Sequence, residues 1–454
     1  MAHKHFPFRF SPAGLRGLEA SATLVINEKV NEMWAQGKEV YHLGFGESRF
    51  PVHPKIAEAL RQHAYQHSYL PSQGLLEVRE LVAEFYESRF RLPVSPDRII
   101  IGPGSKALLH ALMQALDGEL LLPTPSWVSY QPQAHLVHKE VNWIPSSPAQ
   151  DFALTIEALQ EAMERSERAW GNPEILLINS PNNPTGRMFT AEFLQELAEF
   201  CREEGLTVLS DEIYGLVTHG VRKHYAMARY YPEGTVTLGG LSKHLSLGGW
   251  RLGVAIMPGN RAGAQLLKAV RTIASETWSA TTAPVQYAAK LAYGGDPDIE
   301  AYIDECARIH AIRTRYLWQG LRELGIRCPE PHGAFYLFPD FARWREPLAA
   351  LGIRTDQQLA MHLLDVYRLA TLPGSAFGAP PEQLTLRLSS SYLDMETYER
   401  SEAVLAAYRA NPDPESFMRE HHPNMNEALY RFRLFVQSLE ERSPNGKVPE
   451  LVFE

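Results

Sequence analysis

Residues 239–253, with the sequence GGLSKHLSLGGWRLG, place one lysine, Lys243, in a glycine-rich stretch, and Arg251 follows eight positions later. The run TVTL (235–238) before it and the run LGVAIM (252–257) after it are apolar and rich in β-branched residues. They predict two buried strands joined by a loop. A loop lysine is most often merely solvated, so a functional role for Lys243 depends on what the rest of the chain places around it.

Length and composition restrict the class of protein. A chain of 454 residues with 45% hydrophobic and 21% charged residues predicts a globular protein of two or three domains, or one large domain with a satellite. The net charge of −9 argues against nucleic acid as a partner. Three cysteines without CxxC spacing indicate neither a disulfide framework nor a zinc site, so we expect no metal.

The chain contains neither a run long enough to span a membrane nor a start typical of a signal peptide. No apolar run reaches the roughly 18 residues of a membrane-spanning helix, and the opening MAHKHFPFRF is not followed by an apolar segment. We therefore expect no membrane contact and a location in the reducing cytoplasm.

Strand-like and helix-like segments alternate along the first 300 residues. The strand-like runs are RIII (98–101), ELLL (119–122), EILLIN (174–179), LTVLS (206–210), TVTL and LGVAIM. Amphipathic stretches such as TAEFLQELAEFCREEG lie between several of them. This pattern predicts an α/β domain around a mostly parallel sheet. After about residue 300 the pattern changes, which predicts a smaller α+β unit to which the first ~50 residues could also pack.

A polar or aromatic cluster follows each predicted parallel strand. The clusters are GPGSKA, PTPSWVSY, SPNNPTG, DEIY and GGLSK. Ligands of such sheets bind outside the carboxyl ends of the strands, so we expect the clusters to meet at one edge. This convergence is the first indication that Lys243 has a function.

Each cluster alone allows more than one interpretation. GPGSKA suits a phosphate at a helix N-terminus, fits a GxGxxA dinucleotide fingerprint, or is a plain tight turn. Trp127 could lie in the core or stack on a flat ring. Asp211 closes a buried strand, where an unpaired carboxylate is costly, so it requires a cationic partner. Tyr214 lies one helical turn beyond it.

One ligand accounts for all of these groups. Pyridoxal phosphate has a phosphate, a protonated ring nitrogen, a phenolic oxygen and a carbonyl that an amine can attack. An aspartate beside the ring nitrogen keeps it protonated, and a lysine forms the Schiff base and then moves the α-proton. A catalytic lysine needs a lowered pKa, which apolar flanks and the nearby Arg251 would favour.

The combination NPTG, SDEIY, SK…GWRLG and a late RLS resembles the class I/II aminotransferases among the fold-type-I pyridoxal-phosphate enzymes. The bacterial branch with aspartate and prephenate aminotransferases is nearest. The resemblance runs from about residue 15 to about 390 and implies a seven-stranded, mostly parallel sheet flanked by helices. It implies three parts: an arm and part of the small domain (1–50), a cofactor-binding large domain (51–300) and a small domain (301–454).

The resemblance also implies roles for the residues around the cofactor ring. Lys243 is implied to be the Schiff-base lysine and Asp211 the partner of the pyridine nitrogen. Asn183 and Tyr214 are implied to donate to the phenolic oxygen, and Trp127 to stack on the ring. Lys243, Asp211 and Tyr214 are thus the candidate catalytic residues.

The phosphate and substrate groups follow in the same way. Ser105, Lys106 and Arg251 resemble the phosphate cradle, although the position where many relatives have a phosphate-binding serine is Gly240, with Ser242 adjacent to the lysine. The implied substrate residues are Gly46, Trp127, Asn183 and Arg387, the last as a bidentate clamp on the α-carboxylate. Lys106 stands at the position where members of this branch use a lysine to bind the distal carboxylate of the substrate. Glu19 falls near the position where prephenate-using members tend to have a basic residue, which argues against prephenate as the acceptor.

Other features depart from the resemblance. The family's GEP(D/E)F is GESRF here, with Arg49 in place of an acid. Residues 394–423 are either an insertion before a last helix, NEALYRFRLFVQSLEER, or the start of a C-terminal extension.

The predicted function is amino-group transfer between an L-amino acid and a 2-oxo acid, with a dicarboxylic partner favoured. Alternatives are a lyase or decarboxylase on the same scaffold, a non-catalytic pyridoxal-phosphate sensor, and, from GPGSKA alone, a nicotinamide-binding oxidoreductase. A homodimer with shared sites is implied by Tyr69 in YLPSQG, which resembles a tyrosine that reaches the neighbouring subunit's cofactor. The alternating Phe6, Phe8 and Phe10 would form an apolar ribbon at the interface.

Overall fold

The computed structural model describes residues 22–441. The strands are β1 (Tyr41–His42), β2 (Ile99–Gly102), β3 (Glu119–Pro123), β4 (Val141–Ile144), β5 (Pro173–Asn179), β6 (Thr207–Asp211), β7 (Thr235–Gly240), β8 (Gly253–Ile256), β9 (Tyr336–Leu337), β10 (Leu369–Ala370), β11 (Leu372–Pro373) and β12 (Leu386–Ser389). The helices are α1 (Ala22–Ala35), α2 (Pro54–His63), α3 (Leu76–Phe90), α4 (Ser105–Ala115), α5 (Tyr130–Leu136), α6 (Ile156–Arg168), α7 (Ala191–Glu203), α8 (Arg261–Thr277), α9 (Ala283–Tyr293), α10 (Pro297–Glu323), α11 (Arg345–Ala350), α12 (Asp356–Tyr367), α13 (Tyr398–Ala410), α14 (Pro414–His421) and α15 (Pro423–Glu441).

The central sheet has the strand order β2-β8-β7-β6-β5-β3-β4. Neighbours from β7 through β4 are parallel, and β8 runs antiparallel to both β2 and β7. Since β2 and β7 both oppose β8, they point in the same direction as the rest of the sheet. The predicted α/β class and the mostly parallel seven-stranded sheet are confirmed.

Six strands of the central sheet coincide closely with the six apolar runs. The seventh strand was not predicted from the sequence. That strand is β4, whose residues VNWI are mostly half-buried. It pairs only with β3, so it is an edge strand of the sheet. The other edge strand, β2, is completely buried and carries the apolar run RIII, whereas β4 leaves most of its residues half-exposed and its sequence therefore lacks a continuous apolar run.

Local signals at the helix starts agree with the fold. Thr190 caps α7 by accepting from the Phe193 amide. Asp296 caps α10, and Pro297 occupies the first helical position, where its missing amide proton costs nothing. None of the helices within residues 22–441 is both long and apolar enough to cross a bilayer.

A second body forms around two small sheets. Strands β11, β12 and β9 pair antiparallel, and β1 pairs parallel with β10. The pairing of β1 with β10 brings a segment near the start of the chain against one near its end, in keeping with the predicted contribution of residues 1–50 to the small domain. The domain boundaries themselves stay a prediction.

Residues 394–423 contain the helix α13, the helix α14 and their connections, and α15 follows. The side chains of Phe432, Phe435 and Leu439 on α15 are completely buried, so this helix belongs to the core of the second body. Asp394 accepts from the amides of Asn424 (2.8 Å) and Met425 (3.0 Å) and thereby ties the start of the segment to the start of α15. Both interpretations of the segment, insertion and extension, stay open.

Candidate active site

The carboxyl ends of β2, β3, β5, β6 and β7 lie at one edge of the sheet, where β8 begins. At this edge Asn179 of β5 pairs with Asp211 of β6, and Gly253 of β8 pairs with both Gly240 and Gly102. The loops that follow these strands therefore face one space. Lys243 and Arg251, which lie between β7 and β8, enter the same space.

Lys243 is partly buried and has a single hydrogen-bond acceptor. Its Nζ donates to the carbonyl oxygen of Gly46 at 2.7 Å and lies 5.3 Å from the ring centre of Tyr214 and 5.7 Å from that of Phe335. Burial, reinforced by the Arg387 guanidinium, lowers the pKa of Lys243 to about 8. A much larger fraction of the amine is consequently unprotonated near neutral pH than for a solvated lysine.

Asp211 is buried and contacts neutral donors. Its Oδ2 accepts from the Tyr130 hydroxyl at 2.8 Å and its Oδ1 from the Ile213 amide at 3.2 Å. Within residues 22–441 it forms no ion pair. Burial raises the pKa of Asp211 to about 6, although these hydrogen bonds act in the opposite direction. A positively charged ring nitrogen would supply the missing counter-charge.

Two asparagines link the neighbouring strand to Asp211. The Asn179 amide donates to the main-chain oxygen of Asp211 at 2.8 Å, and the Asn179 Oδ1 accepts from the Asn183 main-chain amide at 2.7 Å. Asn183 is itself buried. The NNPTG turn is thereby fixed against the end of β6, which orients Asn183 towards the site.

Arg387 on β12 is buried without a carboxylate partner in the described chain. Its Nη1 donates to the Asn183 Oδ1 at 3.4 Å, its Nη2 donates to the Gly44 carbonyl oxygen, and its Nε has no partner. The guanidinium lies over the rings of Tyr336 (4.8 Å) and Phe377 (5.1 Å). A buried arginine with unused donors suits a ligand carboxylate, which can accept two parallel hydrogen bonds.

Arg251 and the start of α4 form a site suited to a phosphate. A Cβ atom on Gly104 would lie 2.1 Å from Arg251 Nη2, and one on Gly253 would lie 2.3 Å from the Ser105 nitrogen. Only glycine allows this close approach. Gly104 provides no side-chain cap for α4, so the first amides of that helix and the Arg251 guanidinium are available to an anion.

Lys106 and Trp127 lie next to each other. The Lys106 Nζ is 4.8 Å from the centre of the Trp127 ring, and that ring packs edge-on against Tyr130, with 5.2 Å between ring centres. Burial and the nearby Arg251 lower the pKa of Lys106. Ser242, beside Lys243, is half-buried.

Tyr69 does not lie with the other predicted site residues. Its side chain is 91% exposed, and that of nearby Tyr65 is 70% exposed. Tyr69 is therefore not a core residue of this chain. The predicted ribbon of Phe6, Phe8 and Phe10, and Glu19, lie outside the described residues.

The structure shows why the serine expected at Gly240 is absent. Gly240 has a φ of 153°, and a Cβ atom there would lie 2.7 Å from the Leu252 carbonyl oxygen. A serine would require the β7–β8 pair to separate. At the other departure, Arg49 pairs with Glu47 (3.1 Å) and lies over the Tyr392 ring.

Sequence reasoning missed two tyrosines. The Tyr336 hydroxyl hydrogen-bonds with the Tyr214 hydroxyl at 2.7 Å and donates to the Gly46 carbonyl oxygen at 3.2 Å, the same oxygen that Lys243 contacts. The other is Tyr130, which holds Asp211. Tyr336 lies in the apolar run GAFYLF (333–338), which contains no residue that marks a functional site, and Tyr130 lies three residues after Trp127.

These residues fit pyridoxal phosphate in charge and chemistry. Asp211 lacks a counter-charge, Lys243 offers a partly deprotonated amine, and Arg251 with the uncapped start of α4 offers an anion site. Arg387 retains unused donors for a second, smaller ligand.

Comparison with known proteins agrees with this fit. A family model described as Aminotransferase class I and II matches residues 38–403. An aspartate aminotransferase of Geobacillus stearothermophilus is 35% identical over 84% of this chain and 94% of that protein. A probable aspartate/prephenate aminotransferase of Aquifex aeolicus is 33% identical over 80% of this chain and 90% of that protein. A solved structure of Thermus thermophilus aspartate aminotransferase with maleate is 27% identical, with a TM-score of 0.78 over 94% of this chain and 100% of that one.

Proposed function

The chain belongs to the class I and II aminotransferases and is a pyridoxal-phosphate-dependent enzyme, and from that premise we propose that it transfers amino groups to and from dicarboxylic amino acids, aspartate or glutamate. The single observation that carries the dicarboxylic preference is a second cation, Lys106, whose Nζ lies 4.8 Å from the Trp127 ring. It adds to Arg387, a buried guanidinium with no carboxylate partner among the described residues. The names of the relatives at 33–35% identity support the dicarboxylic preference.

Lys243, Asp211 and Tyr214 carry the chemical step in this proposal. When bound, the cofactor withdraws electrons from the substrate α-carbon. Asp211 holds negative charge for the ring nitrogen, and Lys243 anchors the cofactor and then moves the α-proton through its Nζ. The lowered pKa of Lys243 leaves this amine able to accept a proton near neutral pH. Tyr214, oriented by the Tyr336 hydroxyl, donates to the phenolic oxygen.

Arg387 and Lys106 select the substrate. Arg387 binds the α-carboxylate, and its stacking on Tyr336 and Phe377 keeps the guanidinium plane in one orientation. Lys106 is the cation for the distal carboxylate: its Nζ lies beside the Trp127 ring, and partial desolvation together with the Arg251 charge lowers its pKa, so an anionic partner would favour its charged form. Gly46, Trp127 and Asn183 line the remainder of the substrate site.

A panel of amino donors tests the preference. We expect aspartate and glutamate to convert the absorbance of the bound cofactor far more efficiently than alanine or leucine. Lys106→Gln should reduce conversion by the dicarboxylic donors about tenfold, because a charged hydrogen bond is lost, and leave that by alanine unchanged. Lys268→Gln, at an exposed position, is the matched control. An equal loss for all donors would instead assign Lys106 to the cofactor.

We infer further that the enzyme is a homodimer with shared sites. The support is Tyr69, whose aromatic side chain is 91% exposed on this chain and whose motif resembles one that acts across a subunit boundary. Exposed aromatic clusters of this kind mark interfaces, and twofold symmetry would make the contact reciprocal.

Mixing two inactive variants tests the shared site. Tyr69→Ala (combined with a weakened cradle if needed) and Lys243→Ala should each be impaired alone. Hybrid dimers should regain activity, since one of their two sites contains both native residues. Hybrids that form, as shown by mass, yet remain inactive would contradict the proposal, as would a fully active monomer at high dilution.

A cytoplasmic location completes the proposal. The three cysteines, Cys201, Cys306 and Cys328, are all free and buried, which suits a reducing compartment.

A further inference from the structure

A cavity lies apart from the predicted site residues, none of which lines it. Its volume is about 1350 Å³. The walls come from the end of α3, the loop after Tyr214, one side of α10 and the connection between α13 and α14. We call this cavity the α10 groove. One of its walls, formed by residues 408–418, belongs to the segment 394–423 that departs from the family resemblance.

One face of α10 forms the floor of the groove. Asp304, Arg308, Ala311, Arg315 and Gln319 recur every three to four residues and all line the cavity. Arg308 and Arg315 are two helical turns apart, about 10 Å along the axis. The floor thus presents two cations at a spacing that no single phosphate or carboxylate group can cover.

Several cations of the groove have no acidic partner. Within residues 22–441, no ion pair is formed by Arg91, Lys223, Arg229 or Arg308. The remaining arginines are paired: Arg89 with Glu300 and Asp304, and Arg222 and Arg315 with Glu330. The carboxylates that line the groove are Asp304, Glu323 and Glu415. A chain with a net charge of −9 therefore concentrates unpaired positive charge here.

A buried histidine provides an independent indication of a ligand. The side chain of His224 is 2% exposed and its Nε2 hydrogen-bonds with Glu212 Oε2 at 2.8 Å. Its Nδ1 is buried and has no partner, although His224 lines the groove. Buried polar atoms in proteins are nearly always paired. In the neutral imidazole that donates from Nε2 to the Glu212 carboxylate, Nδ1 is an acceptor, so a ligand group that pairs with it must be a donor such as a hydroxyl.

We propose that the α10 groove is a second ligand site that binds a small organic polyanion carrying at least two phosphate or carboxylate groups. The unpaired cations lie on different walls: Arg91 directly follows the end of α3, Lys223 is on the loop and Arg308 is on α10. Several anionic groups are therefore needed to meet them. The volume exceeds the usual range of about 300–1,000 Å³ for small-molecule pockets, which admits a ligand of nucleotide size. This inference does not depend on the substrate proposed above.

Calorimetric titration with pyrophosphate tests the site. The cofactor-loaded enzyme is first reduced with borohydride, so that the anion site beside Arg251 is filled and cannot bind the probe. We expect saturable binding with one pyrophosphate per chain, which weakens as salt rises. Arg308→Gln and Lys223→Gln should each weaken it about tenfold, since each removes a charged hydrogen bond. Lys268→Gln, an exposed cation outside the groove, should not.

Competition between citrate and pyrophosphate shows whether the groove prefers carboxylate or phosphate groups. Citrate that displaces pyrophosphate and binds more tightly supports a polycarboxylate ligand, and weaker citrate binding supports a phosphorylated one. Absence of saturable binding to either anion by the native enzyme would overturn the site. So would unchanged affinity in Arg308→Gln and Lys223→Gln with native circular dichroism spectra, or displacement of the probe by aspartate. Tighter binding of an oligoglutamate peptide than of either small anion would overturn it in favour of a polypeptide partner.

Discussion

Lys243→Ala is expected to lower the rate of transamination by about 10³-fold or more, since general acid–base catalysis alone contributes about 10²–10⁴-fold. Lys243 Nζ has a pKa lowered to about 8 and enters the site between β7 and β8. The other predicted site lysine, Lys106, has its Nζ 4.8 Å from the centre of the Trp127 ring, so we do not expect it to take over the role of Lys243. Single-turnover kinetics with aspartate, compared with the native enzyme, measures the loss.

The fold of this variant should survive. The side chain of Lys243 forms one hydrogen bond, to Gly46. A lysine whose pKa is lowered by folding destabilises the folded state at neutral pH. Its removal should leave the melting temperature of the cofactor-free protein equal or higher. Lys268→Ala serves as control. Near-native transamination by Lys243→Ala, or covalent retention of cofactor after borohydride reduction, would show that another residue is the anchor.

Asp211→Ala should lower the chemical step by at least ~10²-fold. Breaking a buried charge pair costs about 3–5 kcal/mol, and cofactor occupancy should fall less than rate because Arg251 and α4 still hold the phosphate. Asp211→Asn removes the charge and keeps the shape: its one amide oxygen can still accept from the Ile213 amide, whereas its NH2 group replaces the oxygen that accepts from Tyr130 and can only donate to that hydroxyl. We expect Asn to be nearly as slow as Ala. A rate equal to that of the native enzyme in either variant would refute the role of the charge.

The same carboxylate gives a pH dependence to the cofactor-free protein. Folding raises the pKa of Asp211 to about 6, above its unfolded value of about 3.9. The folded state therefore binds more protons between about pH 4 and pH 6, so this group's contribution to the free energy of unfolding falls as pH rises through that window. Asp211→Asn should lack this contribution and be relatively more stable above pH 6. Thermal unfolding of both cofactor-free proteins across the window measures it.

Six strands of the central sheet, including the edge strand β2, could be predicted from sequence because nearly all of their residues are buried and most are apolar. The edge strand β4 could not, since only its last residue, Ile144, is fully buried. The start of α8 is set by a local hydrogen bond, because the Asn260 side chain caps this helix by accepting from the Gly263 amide. The paired strands β1 and β10 have two residues each, too short for any periodicity to identify.

The site was predictable wherever a residue's chemistry was unusual for its position. Burying the charged side chains of Lys243, in a glycine-rich loop, and Asp211, at the end of a strand, costs free energy of folding unless a ligand or partner compensates for it. Tyr336 gave no such signal, because a tyrosine in an apolar strand is ordinary in the core. Its contact with Tyr214, 122 positions away, exists only once the second body is packed against the sheet. The α10 groove has the same origin, since its walls come from segments that are distant in sequence.

The pairing of β1 with β10 has a consequence for biosynthesis. Tyr41 and Leu369 are register partners, so a ribosome must add roughly 330 residues between them, which takes tens of seconds at about 5–20 residues per second. During that time the large sheet can form. The apolar residues of α1, such as Ile26, Val30 and Met33, are buried in the folded protein but cannot yet pack against the later segments of the second body. The second body can close only after α15, which ends at Glu441, has been synthesised. The nascent chain thus exposes the apolar residues of α1 and the unpaired strand β1, and we expect a chaperone that binds apolar sequences to recognise this segment.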